Sequence, residues 1–300
     1  MNPGYVYVLL CYALIGISYP IAKEAMTLIP IWIFTSITFA VAFALLYPVV
    51  RTLDRIALSQ IGLPAWVAIS IQSLLGAVLY TVFLLYGFSG ATAIVASVFS
   101  SLAPAAVLTF SSVFLKERLS VRKVLAIVMA VAGVLVLTLP TADSAGQNTW
   151  LGMLFLLLST LSTAGCVISA KKLDVQLPPA TLAAGVCLTG MLFTLPMAIA
   201  QGLSFDWYLL SAANGAVMIY YGALVWAVPY VLFFMGVTKI PASATGMAVA
   251  VIPLTASFFS MVFYREQLHL TDGVALVLVT LSILAAEAKE PIKPTLPATL

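Results

Sequence analysis

Of the chain's 300 residues, 63% are hydrophobic and 8% carry a charge, with a mean hydropathy of +1.15. A soluble domain carries about 25% charged residues to cover its surface. With 13 Lys and Arg against 10 Asp and Glu, this chain cannot be wetted on all sides, which excludes soluble enzymes, nucleic-acid binders and disordered proteins; a net charge of +3 is too small to draw nucleic acid.

A helix crossing about 30 Å of hydrocarbon needs roughly 20 apolar residues, and ten such runs are predicted in chain order. The first, 4–22, has no basic leader and no cleavage motif before Lys23 and Glu24, so it is expected to be a retained helix. The second, 30–50, ends at the Arg51–Arg55 cluster, and the third is 64–85. Only Gly87–Gly90 separates the third from the fourth, 91–114, the weakest boundary in the chain. Lys116, Glu117 and Arg118 follow, and Ser120 is placed to cap the fifth run, 121–139. After the polar stretch 141–148 come 149–169, 179–200, 213–235 and 241–263. The tenth, 271–287, is expected to be capped by Thr271. No gap exceeds about 13 residues, so no water-soluble domain is expected.

Lys and Arg set the orientation of such a bundle. Alternating the ten runs across the bilayer puts eleven of them on one side and two, Lys23 and Arg265, on the other. Both termini are therefore expected in the cytoplasm, with the chain in the inner membrane. An odd number of spans would spoil this division.

An offset of 149 residues superimposes the chain on itself. It aligns Pro104 with Pro253, Lys116 with Arg265, Glu117 with Glu266 and Leu119 with Leu268. It also aligns Gly16 with Gly165, Lys23 with Lys172, Pro30 with Pro179 and Gly87 with Gly236. Two halves follow, 1–140 and 149–290, each with five predicted spans. Five is odd, so the second half enters the membrane from the opposite face. Inverted repeats of this kind build many secondary transporters, with the solute site near the bilayer midplane.

The blocks Ala93–Pro104 with Leu115–Ser120, and Ala242–Pro253 with Tyr264–His269, resemble the paired signature of the EamA family, within the drug/metabolite transporter superfamily. The resemblance covers essentially the whole chain. It implies ten helices, inverted repeats and export of metabolites or amino acids, and within the family the chain looks most like the YddG group of aromatic amino-acid exporters. Gln267 and His269 depart from the family pattern in the second half.

No charged residue falls near the middle of a predicted span, where a charge costs at least roughly 2.5–3.5 kcal/mol and marks function. Antiport of cationic drugs needs an embedded carboxylate, and carriage of phosphates or nucleotide sugars needs embedded Lys or Arg. The expected solute is thus neutral or zwitterionic. Deep polar groups that could bind it are Gln72, Tyr80, Ser97, Ser101, Tyr221, Trp226, Tyr230 and Thr245. Ser97, Ser101 and Pro104 share one helix face. Pro104, Pro229 and Pro253 are candidates for kinks that free a carbonyl and act in gating.

Each of these groups has a second reading. Intramembrane Ser and Thr also bond their own helix or a neighbour, Tyr and Trp also form interfacial belts, and prolines also merely shape a bundle. Glu117 and Glu266 read as helix-end residues, while Ala126 with Ala130 and Ser282 with Ala286 form small-residue faces for close packing.

The three cysteines, Cys11, Cys166 and Cys187, lie in apolar runs without metal or disulfide spacing, and His269 is the one histidine. No metal, cofactor or enzymatic site is expected. The sequence thus describes an all-α polytopic membrane protein exporting an apolar or aromatic amino acid, or a similar small molecule, by alternating access. Efflux of hydrophobic drugs and a passive channel are the alternatives. Lipid is the expected surroundings and a monomer suffices.

Overall fold

The computed structural model describes residues 3–100, 102–114, 149–173, 175–237, 239–240, 248–249 and 251–265, with isolated positions between 121 and 132 and between 270 and 281. Among the described residues every regular element is helical. In chain order they are α1 (Pro3–Ala25), α2 (Ile31–Val49), α3 (Leu63–Phe88), α4 (Ala93–Phe114), α5 (Trp150–Lys172), α6 (Pro179–Gly202), α7 (Ala212–Val237) and α8 (Val251–Tyr264). Seven helices are long and apolar enough to cross a membrane, and α8 covers the latter part of the ninth predicted run. Most of the fifth and tenth runs lie outside the described residues, as do Glu117, Ser120, Ala126, Ala130, Glu266, Thr271, Ser282 and Ala286.

The chain is an all-α polytopic membrane protein, and its surface inverts the usual arrangement. At 1.5 Å per residue, the 23 residues of α1 extend about 35 Å, enough for the hydrocarbon layer. Leu10, Leu63, Leu195 and Ile199 face outward. Thr35, Thr38, Ser73, Thr181 and Thr194 are fully buried. Such hydroxyls stay inside because they find carbonyls: Thr35 donates to Ile31 O at 2.7 Å and Thr194 to Gly190 O at 2.9 Å.

Local chemistry sets the helix ends. Pro30 and Pro178 precede α2 and α6 in extended conformation, and Pro64 sits in the first turn of α3, where its missing N–H costs nothing. Ser211 and Asn214 form a capping box on α7. The Gly87–Gly90 boundary is a real turn, closed by Gly90 N–H to Gly87 O at 3.0 Å.

Helices made equivalent by the 149-residue offset have equivalent neighbours. α1 packs on α7 and α8, while α5 packs on α3 and α4. Gly87 on α3 faces Leu156 and Gly152 O of α5; its counterpart Gly236 on α7 faces Val8 and Gly4 O of α1. The equivalent pair α2 and α6 lie side by side and antiparallel. At one end the Gln201 side chain accepts from Trp32 N–H at 3.1 Å. At the other, Asp54 Oδ2 accepts from Thr181 N–H at 3.0 Å and from its hydroxyl at 2.6 Å.

Asp54 thus caps the positive end of a helix from the other half of the chain. Asp54→Ala is expected to cost about 1 kcal/mol, read as a lower thermal midpoint of the purified protein, whereas Asp54→Asn keeps most of it. An unchanged midpoint in the alanine variant would show that the cap contributes nothing.

Two helices carry a π-helical turn at matching places, Leu74–Leu79 in α3 and Gly222–Ala227 in α7. Each inserts a residue into the i→i−4 ladder and frees backbone groups for other partners. α4 is interrupted between Ser100 and Ala103. The expected kink at Pro104 is therefore a break, with proline in the first turn of the second segment, where no donor is missed.

Candidate functional site

A cavity of about 80 Å³ lies where both halves of the chain meet. It is lined by residues of α1, α3, α4, α5, α7 and α8 together with Val249. Among the described residues no charged side chain lines it. Its size is well below the roughly 300–1,000 Å³ of sites that enclose drug-sized ligands, so this state suits a small solute or one held after further opening.

One wall is hydroxylic. The Tyr19 hydroxyl lies 2.5 Å from Ser100 Oγ and 3.1 Å from the Tyr80 hydroxyl, joining α1, α4 and α3. Thr160 of α5 donates to Phe99 O at 3.0 Å, just where α4 is interrupted. Tyr230 of α7 reaches across to Gly76 O, inside the π-helical turn of α3, at 2.6 Å.

α5 secures that same turn from outside. Ser159 donates to Tyr80 O at 2.9 Å, Ser162 to Leu75 O at 2.7 Å, and the Cys166 thiol to Gln72 O at 3.7 Å. These donors lie on adjoining faces of one helix and meet the carbonyls around the irregular turn, so the cavity wall keeps its shape without a water partner.

The lining is also aromatic and apolar. Trp226 is 2% exposed, its ring 4.6 Å from Phe39 and 5.5 Å from Tyr230 between centroids. Its Nε1 has no hydrogen-bond partner among the described residues. Cys11, Ile15, Phe233, Val249 and Ile252 complete an apolar lining.

The model of the EamA-like transporter family matches residues 2–139 and again 150–286. The chain belongs to the EamA-like transporter family. Curated relatives agree. The "uncharacterized transporter YetK" of Bacillus subtilis (strain 168) is 25% identical over 96% of this chain and 88% of its own length. An "uncharacterized transporter" of Archaeoglobus fulgidus is 30% identical over 58% of this chain and 60% of its own. A solved crystal structure shares the fold, with a TM-score of 0.69 over 95% of this chain and 96% of that one at 17% identity. The protein is a membrane transporter.

In this EamA-like transporter Tyr80, Trp226 and Tyr230 come together on the cavity. Three other candidates do not line it. Ser97 is fully buried and turns back to Ile94 O at 2.7 Å. Tyr221 donates to Ser18 O at 3.0 Å and packs edge-on to Phe34. Gln72 is buried, its Oε1 without a partner among the described residues. Ser101 and Thr245 lie outside the described residues. Pro229 is buried just after the π-helical turn of α7, and Pro253 lies in the first turn of α8, after a tight Ile252 N–H to Val249 O bond of 2.9 Å.

Sequence reasoning placed Ser100 among the deep polar groups of the fourth run, but missed Tyr12, Tyr19, Thr160 and Thr163 on this lining. A signal existed for the first helix: Tyr12 and Tyr19 are seven residues apart, two turns on one face.

Proposed function

We propose that this transporter exports amino acids or related neutral or zwitterionic metabolites, apolar or aromatic ones foremost, by alternating access. The observation that carries this reading is the cavity itself: shared by both halves, uncharged among the described residues, and lined by hydroxyls and aromatic rings. An uncharged polar wall suits a solute whose charges balance, and Trp226, Tyr230 and Phe233 suit a flat or branched apolar side chain. The resemblance of the sequence to the YddG group of aromatic amino-acid exporters favours the same reading. In this reading Tyr80, Trp226 and Tyr230 bind the solute, and the helix irregularities near Pro104, Pro229 and Pro253 are where the halves bend.

The halves are inverted copies, 1–140 and 149–290, with both termini on the cytoplasmic face of the inner membrane. The antiparallel pairing of α2 with α6, and the matched neighbours of α1 and α5, support that arrangement. Packing of one copy against the other in two ways would open the shared cavity to each side in turn.

Purified protein in liposomes is expected to show saturable counterflow of apolar and aromatic amino acids, with flux raised by unlabelled solute on the far side. No saturable flux for any member of an amino-acid panel would reject the substrate class, and flux without trans-stimulation would point to a pore. Efflux of hydrophobic compounds is the second reading, favoured by the apolar lining. It predicts movement of lipophilic compounds in place of amino acids.

A further inference from the structure

A hydroxyl group donates one proton and accepts at two lone pairs, so the direction of each hydrogen bond around the cavity decides what is left for a solute. Ser100 Oγ donates to the Ala96 carbonyl at 3.1 Å, and a carbonyl only accepts. With its proton engaged there, Ser100 is the acceptor in its 2.5 Å contact with the Tyr19 hydroxyl. Tyr19, having donated, accepts in turn from Tyr80 at 3.1 Å. The relay runs from Tyr80 through Tyr19 and Ser100 to the Ala96 carbonyl, and its cavity end shows lone pairs.

The other hydroxyls face the same way. Tyr230 donates to Gly76 O at 2.6 Å. Thr160 is shared between Leu156 O and Phe99 O, both at 3.0 Å, and Thr163 donates to Ser159 O at 3.2 Å. Six of the seven hydroxyl side chains on the described lining therefore have their protons engaged by the protein. The seventh, Tyr12, makes no hydrogen bond among the described residues, and the Trp226 Nε1–H is the other donor on the lining left without a partner there, so acceptors outnumber free donors.

The geometry points to a cavity that recognises a protonated amine: the ammonium group of the solute is held by oxygen lone pairs and aromatic faces, without a carboxylate. Oriented dipoles with their negative ends inward attract a cation and repel an anion, and desolvation strengthens both effects. The rings of Tyr80, Trp226 and Tyr230 add their negative faces. This deepens the transport reading and rests on it, since it states which end of the solute is held. It also explains how a span region without embedded acids could select an amine.

Three matched solutes test it: phenylalanine, phenethylamine (which lacks the carboxylate) and hydrocinnamate (which lacks the amine). Cys11 and Cys166 line the cavity, while Cys187 is buried outside its lining, so its labelling reports loss of the fold. Alkylation of each thiol in the full-length protein, reconstituted in lipid, is followed by peptide mass spectrometry. Phenylalanine and phenethylamine are expected to slow labelling of Cys11 and Cys166 relative to the solute-free protein, with Cys187 unlabelled throughout, and hydrocinnamate is not. Protection by hydrocinnamate as strong as that by phenylalanine overturns the inference, as does protection by none of the three.

Tyr80→Phe should raise the phenethylamine concentration needed for protection about 10-fold, the effect of one hydrogen bond to a charged group. Ser100→Ala removes the anchor of the relay and should narrow the gap between amine and acid. An unchanged gap in Ser100→Ala, with Tyr80→Phe also without effect, overturns the proposal. Should either variant fail to fold, the three-solute comparison on the unaltered protein decides. Amine-specific protection without amino-acid counterflow would remove the transport reading and leave the amine pocket standing.

Discussion

Trp226→Ala is expected to abolish most solute flux and to cost about 3–5 kcal/mol of stability, as large-to-small changes at buried aromatics do. The indole is 2% exposed and wedged between Phe39 of α2 and Tyr230 of α7. Deleting it opens a void against the existing cavity and loosens Tyr230, whose hydroxyl spans to Gly76 of α3. That link joins the third helices of the two halves, so its loss reaches the irregular turn on each side.

Trp226→Phe separates the two effects. Phenylalanine keeps an aromatic ring between the same neighbours and drops only an N–H that has no hydrogen-bond partner among the described residues. A buried unpaired donor costs about 1–3 kcal/mol, so the phenylalanine variant should be close to the parent in thermal midpoint. Flux measured in liposomes should then fall far less than in the alanine variant. Equal loss in both variants, with both folded, would mean that the indole N–H itself meets the solute. Unaltered flux in Trp226→Ala would reject the cavity as the transport site.

Hydropathy made the bundle legible because a single apolar segment can satisfy its own backbone in a membrane only as a helix. The runs 4–22, 30–50, 149–169 and 179–200 each fall within a few residues of α1, α2, α5 and α6. What hydropathy could not register is irregularity inside a span. A π-helical turn changes hydrogen-bond register by one residue without changing composition, so Leu74–Leu79 and Gly222–Ala227 read as ordinary apolar helix. The break after Ser100 was half-visible through Pro104, but proline alone does not say whether a helix bends or restarts.

The same limit governed the site. Depth in a span picked out Tyr80, Trp226 and Tyr230. Depth could not separate Ser97, which bonds its own helix, from Ser100, which meets Tyr19 from another. Those two serines lie three residues apart on one helix, and only the position of α1 distinguishes them. A hydroxyl's partner is a tertiary property, and within a span the backbone always offers one competitor.

Gly152→Ala is expected to be the most disruptive single-methyl change in the described structure. A Cβ there would stand 2.6 Å from both the C and O atoms of Gly90, closer than side chains approach backbone. The turn cannot yield easily, because it is tied to the start of α5 at that point. Thr149 N–H donates to Gly90 O at 2.7 Å, its hydroxyl to the same oxygen at 3.2 Å, and Thr149 Oγ1 caps Gly152 N–H at 3.1 Å. Making room means breaking these bonds as well as separating backbones, so the cost should reach or exceed the about 1–3 kcal/mol of overpacking. α5 then shifts as a unit, and Ser159, Ser162 and Cys166 lose their register on the α3 carbonyls. Gly215→Ala is the control. Its Cβ meets nothing within 4 Å, and exchanging glycine for alanine inside a helix gains about 0.4–1 kcal/mol. Thermal midpoints of the two purified variants should therefore move in opposite directions. A Gly152→Ala protein as stable as its parent would show that the approach of α5 to the α3–α4 turn is not a close one.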